Sequence, residues 1–455
     1  MAFIPAYILI LLFTITMDYI AGLAIEKATG RRRKAFLIMS LVANVGTLAV
    51  FKYLDFLTDN TIHLISWLGL PYNIPPWSII LPIGLSFHTF QSMSYTIEVY
   101  FGRQPAEKKF GIFALYVMFY PQLVAGPIER PQHLLPQFRT QHFFEYRRVT
   151  DGLKLMAWGL FKKVVIADKL AVIVNPIYDS PQNYNAGALI VATVFFAYQI
   201  YCDFSGYSDI AIGSAQVMGF KLMNNFKNPY GATSISEFWK RWHISLSTWF
   251  RDYLYIPLGG NRVGKWRHQF NLLLTFLVSG LWHGASWTFV IWGALHGLYL
   301  IISTQTKPFR QMTASFLGID SERFSTLRHI FQRLTVLAAV CLAWIFFRAK
   351  NTSDAIYIVS HIFGGLGSLI SGLPNIFSLL KNSLWEVGLT PYKLIFLPIF
   401  IIILETAHFL QRSGSIRERI SHRPLVVRWA LYYGLVQSIF LHGVFSGNQF
   451  IYFQF

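Results

Sequence analysis

Cysteine is scarce in this sequence of 455 residues, where Cys202 and Cys341 are the only two and both lie inside apolar runs. Two thiols in such places exclude a disulfide framework and a metal site built on several thiolates. No H-x-x-x-H pair or carboxylate-rich cluster marks another kind of metal site, and no phosphate-binding loop or G-x-S-x-G elbow is present. The sequence therefore predicts no metal and no bound cofactor.

Charged residues are also few, at 13% of the chain, whereas 54% of the residues are hydrophobic and 17% are aromatic. Together with a mean hydropathy of +0.43, this composition excludes an ordinary soluble domain. Apolar segments of about 20 residues, each long enough to cross roughly 30 Å of hydrocarbon, recur along the whole chain. We therefore predict an all-α, polytopic membrane protein, a single domain over residues 1–455 with about eleven transmembrane helices.

Acidic residues are the rarer charged type, since 21 Asp and Glu face 39 Lys and Arg and give a net charge of +18. In a soluble protein this excess would suggest nucleic acid, but here the basic residues occupy short connections between apolar spans. Topology and anionic headgroups explain that pattern, so the predicted partner is the lipid bilayer and not nucleic acid. The basic segment Glu26–Lys34 follows a first span at Ile4–Ile25 and is predicted to be cytoplasmic, which places Met1 outside.

Several apolar segments carry polar residues. Ser78–Tyr100 has too many polar groups to face lipid all round and is predicted to pack inward. The mixed segment Lys52–Trp77 is predicted to lie at the outer interface, and Gly152–Val174 to be partly interfacial or to line a wet cavity. Asp203 and Asp209 lie inside an apolar span, where carboxylates either serve function or only hold neighbouring helices together.

Residues 234–300 hold the densest set of candidate residues. Ser234 and Glu237 have the spacing of a capping box, which predicts a helix start there. Apolar residues then recur at helical spacing as far as Tyr253. Three tryptophans on the apolar face and cations on the other predict a helix lying in the membrane interface, with His243 looking inward from its border. The three are Trp239, Trp242 and Trp249.

The next run, from Phe270 to Ile302, contains no Asp, Glu, Lys or Arg, and its only basic side chains are those of His283 and His296. As one helix it would be about 50 Å long, so we predict a break near LWHG, which leaves His283 roughly 20 Å beyond Phe270 and within the hydrocarbon. Removal from water favours a neutral imidazole, the form that a general base needs. The alternative is a structural hydrogen bond to a neighbouring helix, and packing is the expected role of His296.

Several motifs together resemble one family. FWKRWHISLSTWFRDYLYIPLGGN and SGLWHGASWTFVIWGALHG look like the signature of the membrane-bound O-acyltransferases, in their bacterial alginate O-acetylase-like branch. FYPQLVAGPIERP, YCDFSGYSDIAIG and the C-terminal FIYFQF are similar to that branch as well. The resemblance implies tilted helices around a central funnel, with His283 and His243 as the catalytic histidines. Members of this branch often carry a further apolar segment before the first one here.

The resemblance also implies a reaction: transfer of an acetyl or other acyl group from a cytoplasmic thioester to an extracytoplasmic hydroxyl. The donor would be acetyl-CoA or an acyl-carrier protein, and the acceptor a polysaccharide or a partner protein that relays the group. The implied location is the bacterial cytoplasmic membrane. Cations would meet donor phosphates, and tryptophans and a carboxylate would shape the pocket or orient a histidine. The expected donor-side residues are Trp282, Trp239, Lys240, Arg241, Arg251, Asp252 and the cluster Arg262–Arg267.

Three other functions remain open at the level of sequence. A D-alanyl transferase for teichoic acid would use the same site with another donor. A proton-coupled transporter or lipid flippase would relay protons through Asp203, Asp209 and His283. A catalytically silent scaffold would only hold an assembly together.

Overall fold

The computed structural model describes residues 7–71, 82, 84–124, 126–316, 318, 321–371, 391–445 and 450–451. Within these ranges every regular element is helical, so the predicted all-α class is confirmed. The first helices are α1 Tyr7–Lys27, α2 Gly30–Leu48, α3 Leu54–Trp67, α4 Leu85–Tyr100, α5 Phe110–Val117, α6 Pro131–Leu134, α7 Tyr146–Leu160 and α8 Asp168–Asp179. They are followed by α9 Ala186–Met218, α10 Ile235–Trp239, α11 Ile244–Phe250, α12 Lys265–His283, α13 Trp287–Gln305, α14 Lys307–Phe316, α15 Ser325–Arg348, α16 Thr352–Ser371, and the helices Pro391–Gln411, Ile416–Ser421 and Leu425–His442.

Five helices in the described ranges are long and apolar enough to cross a membrane. This confirms a membrane-spanning helical protein, while the number of about eleven spans stays a prediction. The five are Tyr7–Lys27, Gly30–Trp67, Ala186–Met218, Trp287–Gln305 and Glu322–Arg348.

The second of these helices includes much of the segment Lys52–Trp77. A π-helical turn, Ala49–Tyr53, joins α2 to α3 without a break, so one helix runs from Gly30 to Trp67. Lys52 therefore lies within a long helix, and the position of its last turns at the outer interface stays a prediction. Residues 72–77 lie outside the described ranges.

The first helices are held together by a buried carboxylate that the sequence reading did not single out. Asp18 on α1 is fully buried and accepts hydrogen bonds from Ser40 Oγ at 2.6 Å, from Asn44 Nδ2 at 2.8 Å and from Ser92 Oγ. These bonds connect α1 to α2 and α4. Since nearly all of α4 is buried, the prediction that Ser78–Tyr100 packs inward is confirmed for Leu85–Tyr100; residues 78–81 and 83 lie outside the described ranges.

Helices α7 and α9 approach so closely that their glycines touch backbone. A Cβ added to Gly159 would lie 2.5 Å from the carbonyl oxygen of Gly206, and one added to Gly152 would lie 2.7 Å from that of Gly213. The two glycines of α7 are seven residues apart in sequence, and so are the two glycines of α9. Small residues at such positions allow the close helix packing that is common in membrane proteins.

We expect Gly159→Ala to lower the free energy of unfolding by about 1–3 kcal/mol, because the added methyl group overlaps backbone that cannot turn aside. The measurement is thermal unfolding of the detergent-solubilised protein. Gly111→Ala is the matched control, since nothing lies within 4 Å of the position of its Cβ. Equal unfolding temperatures for the two variants would show that the α7–α9 approach is looser than described.

Two lysines in the π-helical turn that follows α7 pair with carboxylates of α8 and α9. Lys162 Nζ lies 2.7 Å from Asp209 Oδ2, and Lys163 Nζ lies 2.6 Å from Asp203 Oδ1 and 2.9 Å from Asp168 Oδ1. These charges therefore meet protein partners, and the position of the segment at the interface or beside a wet cavity stays a prediction. Their geometry favours the alternative in which the two intramembrane carboxylates hold the bundle together.

The run from Phe270 to Ile302 is broken where the glycines predicted a break. Helix α12 ends at His283, Gly284 is extended, and Ser286 caps α13 by accepting a hydrogen bond from the Thr288 N–H. The two helices, each about 28 Å long, form an antiparallel hairpin. A Cβ on Gly280 would overlap the carbonyl oxygen of Phe289, so glycine is required where they cross.

Candidate active site

His283 is the last residue of α12, and its ring lies among aromatic side chains. It is 5% exposed. The ring centroid lies 4.9 Å from those of Trp282 and Trp292 and 5.2 Å from that of Phe347, each nearly perpendicular to it. Because aromatic walls of this kind exclude water, the imidazole is held in one orientation in an apolar surrounding.

The carbonyl groups at the end of α12 accept hydrogen bonds from another helix. Lys52 Nζ donates to the carbonyl oxygens of Trp282 at 2.7 Å and of His283 at 2.9 Å, and the Tyr53 hydroxyl donates to that of Leu281 at 2.6 Å. No sequence pattern pointed to this pair, because more than two hundred residues separate the partners in the chain.

His243 interrupts the helix predicted to run on from Ser234. The capping box is present, since Ser234 Oγ accepts from the Glu237 N–H, but α10 ends at Trp239. His243 has φ 42° and ψ 56°, and α11 starts after it. A non-glycine residue in the left-handed region is uncommon and is often associated with functional sites. The single continuous helix predicted here is therefore wrong.

Asn225 holds His243 in place, a role that sequence reasoning missed. Its backbone carbonyl oxygen accepts from the Ile244 N–H at 2.9 Å, and its Oδ1 accepts from the Ser245 N–H at 3.2 Å. The backbone donor fixes which amide atom is the oxygen, so His243 Nδ1, 3.2 Å from the same Oδ1, is the donor in that contact. In a neutral ring the lone pair is then on Nε2.

The two histidines converge on one indole. The ring of Trp282 lies 4.9 Å from that of His283 and 6.1 Å from that of His243. Phe87 closes the group, with its centroid 5.4 Å from Trp282 and 6.2 Å from His243. His243 is fully buried, so the prediction that it looks inward is confirmed.

The aromatic face that suggested an interfacial helix packs within the protein. Trp242 is 1% exposed, and Trp239 and Trp249 are also buried. Trp249 stacks on Phe90 at 3.9 Å between centroids and donates from Nε1 to the Phe90 carbonyl oxygen. The three tryptophans therefore belong to the protein core, and the prediction that they form the membrane-facing side of an interfacial helix is wrong.

His296 and His283 both contact the ring of Trp292. The Trp292 centroid is 5.0 Å from that of His296 and 4.9 Å from that of His283. Trp239 Nε1 donates to His296 Nδ1 at 3.3 Å. These contacts fit the packing role expected for His296 and place the donor-side candidate Trp239 beside it.

The charged donor-side candidates fall into two groups. Lys240 and Arg251 are exposed. Arg241 pairs with Glu237 and donates to the Asn228 carbonyl oxygen at 3.3 Å, so it stabilises a turn. The cluster Arg262–Arg267 contributes three more exposed cations: Arg262, Lys265 and Arg267.

Asp252 lies among arginines. Its Oδ2 is 3.2 Å from Arg130 Nη2 and its Oδ1 is 2.7 Å from Arg251 Nε. These contacts support a role in joining α11 to the segment before α6, in place of the histidine-orienting role that the sequence suggested.

A buried glutamate connects that segment to the loop that carries Asn225. Glu129 Oε1 accepts from the Met223 N–H at 2.5 Å, and its Oε2 lies 2.6 Å from His133 Nδ1. The hydrogen bond to Glu129 raises the pKa of the half-exposed His133, against the opposing effects of burial and of Lys221. Glu129 thereby reaches within two residues of Asn225.

The raised pKa of His133 predicts a pH-dependent stability. The stabilisation is fully present below the ordinary value of 6.5 and is lost as the pH rises through the higher folded-state pKa. We therefore expect the unfolding temperature of wild type to exceed that of His133→Gln at about pH 5.5, and the two temperatures to become equal at about pH 8.5. The exposed His329→Gln is the control. A difference that grew with pH would contradict the ion pair.

Fold and site together define a helical integral membrane protein in which two histidines meet at one tryptophan inside the bundle. Among known families, the model of MBOAT, the membrane-bound O-acyltransferase family, matches residues 110–317, which include both histidines.

Individual relatives extend the match over most of the chain. A probable alginate O-acetylase AlgI of Pseudomonas putida is 40% identical over 357 residues, covering 77% of this chain and 69% of the relative. The peptidoglycan O-acetyltransferase of Helicobacter pylori is 36% identical, covering 79% and 70%. A teichoic acid D-alanyltransferase of Streptococcus thermophilus is 28% identical, covering 50% and 57%. The chain belongs to the membrane-bound O-acyltransferase family and is an O-acyltransferase.

Proposed function

We propose that this protein transfers an acetyl group from acetyl-CoA to a hydroxyl group of an extracytoplasmic polysaccharide, directly or through a partner protein that relays it. The observation that carries the proposal is the convergence of His283 and His243 on the indole of Trp282. Relatives named for O-acetylation of alginate and of peptidoglycan support both the acetyl group and a polymeric acceptor.

In the proposed reaction His283 is the general base. Its imidazole removes the proton from the acceptor hydroxyl while the oxygen attacks the thioester carbonyl carbon. The tetrahedral intermediate then expels the thiolate, which takes the proton from the imidazolium and leaves as free CoA. The products are an O-acetyl ester and a thiol, and His283 returns to its neutral form.

His243 and the exposed cations are proposed to serve the donor. Asn225 fixes the imidazole of His243, so that Nε2 carries the lone pair of the neutral ring. Lys240, Arg251 and the cluster Arg262–Arg267 would meet the phosphates of CoA at the cytoplasmic face of a bacterial membrane. Arg251 is exposed although it contacts Asp252, whereas Arg241 and Asp252 are partly buried and paired with protein groups, so we assign these two to the support of that surface.

D-alanyl transfer is the second candidate, favoured by the relatives named for teichoic acid. The two differ in the acyl group and in a donor held on a carrier protein, so one measurement separates them. Mass spectrometry of surface polymers, with and without the gene, identifies the ester that disappears. We expect loss of O-acetyl esters, restored by the wild-type chain.

Other outcomes of that measurement would contradict the proposal. Loss of D-alanyl esters would assign the second function. Unchanged ester content per polymer with reduced polymer export would instead indicate the transporter or flippase.

A further inference from the structure

A lysine and a tyrosine from a neighbouring helix hold the end of α12. Lys52 and Tyr53 are consecutive residues of the π-helical turn that joins α2 to α3. Their side chains donate hydrogen bonds to three successive carbonyl oxygens, those of Leu281, Trp282 and His283, at distances of 2.6–2.9 Å. The ammonium also lies 5.9 Å from the centroid of the Trp282 ring.

The end of α12 needs such donors. A helix leaves its last four carbonyl groups without intrahelical partners, and in many helices a left-handed residue, usually glycine, turns the backbone so that N–H groups reach them. Gly284 instead has φ −164° and ψ 153°, an extended conformation that carries the chain directly into α13. Away from water, carbonyl groups in this situation require protein donors.

Lysine suits this position electrostatically as well. The C-terminal end of a helix carries partial negative charge and is stabilised by a nearby cation. Lys52 lies within a predominantly apolar helix that is long enough to cross a membrane. The partial negative charge at the C-terminal end of α12 gives its ammonium group a favourable electrostatic partner there. Single π-helical turns of this type are frequent at functional sites.

We propose that Lys52 and Tyr53 are positioning residues for acyl transfer, which fix the backbone of Trp282 and His283 and with it the imidazole relative to the substrate. The inference rests on the proposed role of His283. It extends the site to a helix outside residues 110–317, the part matched by the family model. A displacement of about 1 Å in a reacting group can lower the rate 100-fold. Loss of Lys52 or Tyr53 is therefore expected to lower kcat and to leave thioester binding largely unchanged.

The test compares Lys52→Met, Lys52→Arg and Tyr53→Phe in purified, detergent-solubilised protein. For Lys52→Met we expect kcat to fall by about 10–100-fold, while KM for the thioester changes less than about twofold. Lys52→Arg keeps a cationic donor, so its kcat is expected to lie between those of Lys52→Met and wild type. If Lys52 only filled space, retaining a cationic donor would not restore kcat. Lys34→Met, an exposed lysine on the same long helix, is the matched control.

A second readout does not depend on turnover. Diethyl pyrocarbonate modifies neutral imidazoles, and peptide mass spectrometry reports its rate at His283 alone. We expect that rate to change several-fold in Lys52→Met and in Tyr53→Phe but not in the control. If Lys52→Met does not fold, Tyr53→Phe, which loses a single hydrogen bond, decides by the same two measurements.

The outcomes separate this inference from the proposed function. An unchanged kcat and an unchanged modification rate in a folded variant would overturn the positioning role, even if His283→Ala is inactive. An active His283→Ala protein would overturn the proposed function instead, while the modification rate would still report whether Lys52 and Tyr53 hold the end of α12.

Discussion

Replacing His283 by alanine is expected to lower acyl transfer by about 10²–10⁴-fold, the usual contribution of a positioned general base. The acceptor hydroxyl then has no base at the position where the imidazole lay, among the rings of Trp282, Trp292 and Phe347. The measurement is the ester content of surface polymer in cells that contain equal amounts of membrane-inserted wild type and variant.

A second buried histidine provides the control. His408 is 5% exposed, and its Nε2 shares a hydrogen bond of 2.8 Å with the Tyr201 hydroxyl. His408→Ala removes the same group from another part of the bundle, so it is expected to lower stability without removing activity. If both variants lost activity equally at equal protein level, histidine truncation in general would be responsible, and His283 would have no special role.

Replacing Lys163 by methionine is expected to lower the free energy of unfolding by about 3–5 kcal/mol, because it leaves a buried carboxylate without its cation. The side chain of Asp203 is 4% exposed, and its other described bond is from the Ile451 N–H at 2.7 Å. Asp168 loses the same partner. The measurement is unfolding of the solubilised protein by heat or denaturant.

The double variant Lys163→Met with Asp203→Asn is the matched comparison. Asparagine keeps an oxygen for the Ile451 N–H and removes the unpaired charge, so the double variant is expected to recover part of the lost stability. If the two substitutions lowered stability additively, the ion pair would not be the source of the effect.

The ion pairs also bear on the transporter hypothesis. Its sequence basis was the presence of Asp203 and Asp209 in an apolar span, where a proton relay was one explanation. Each carboxylate lies within 2.7 Å of a lysine Nζ, and α7 and α9 are in direct backbone contact beside them. A fixed structural role accounts for both residues.

Local features of this protein could be predicted from its sequence because their physical causes are local. The capping box at Ser234 places a side-chain oxygen at the Glu237 N–H. The glycines around LWH predicted the end of α12, since no other residue fits where the hairpin crosses. The number of polar side chains in α4 predicted that the helix is buried. The resemblance, in turn, implied that His243 and His283 are the catalytic histidines and left open whether they share one site; both rings contact Trp282.

The parts that escaped prediction depend on contacts between distant residues. Lys52 looked like the start of an interfacial segment, because nothing nearby in sequence shows that it reaches the end of α12. Asn225 and Asp18 bond to groups on other elements. The break at His243 was hidden by apolar spacing that continues across it, because the rings before and after it are all buried, although they pack into two different core clusters.

The most direct test of the account is acyl transfer in inside-out membrane vesicles from cells that produce either wild type or His283→Ala as their only copy of the protein. Labelled acetyl-CoA is supplied on the exposed cytoplasmic face, and base-labile label is counted in polymer and in membrane protein. The account predicts labelled esters with wild type and background with the variant. Equal labelling by both proteins at equal abundance would contradict it.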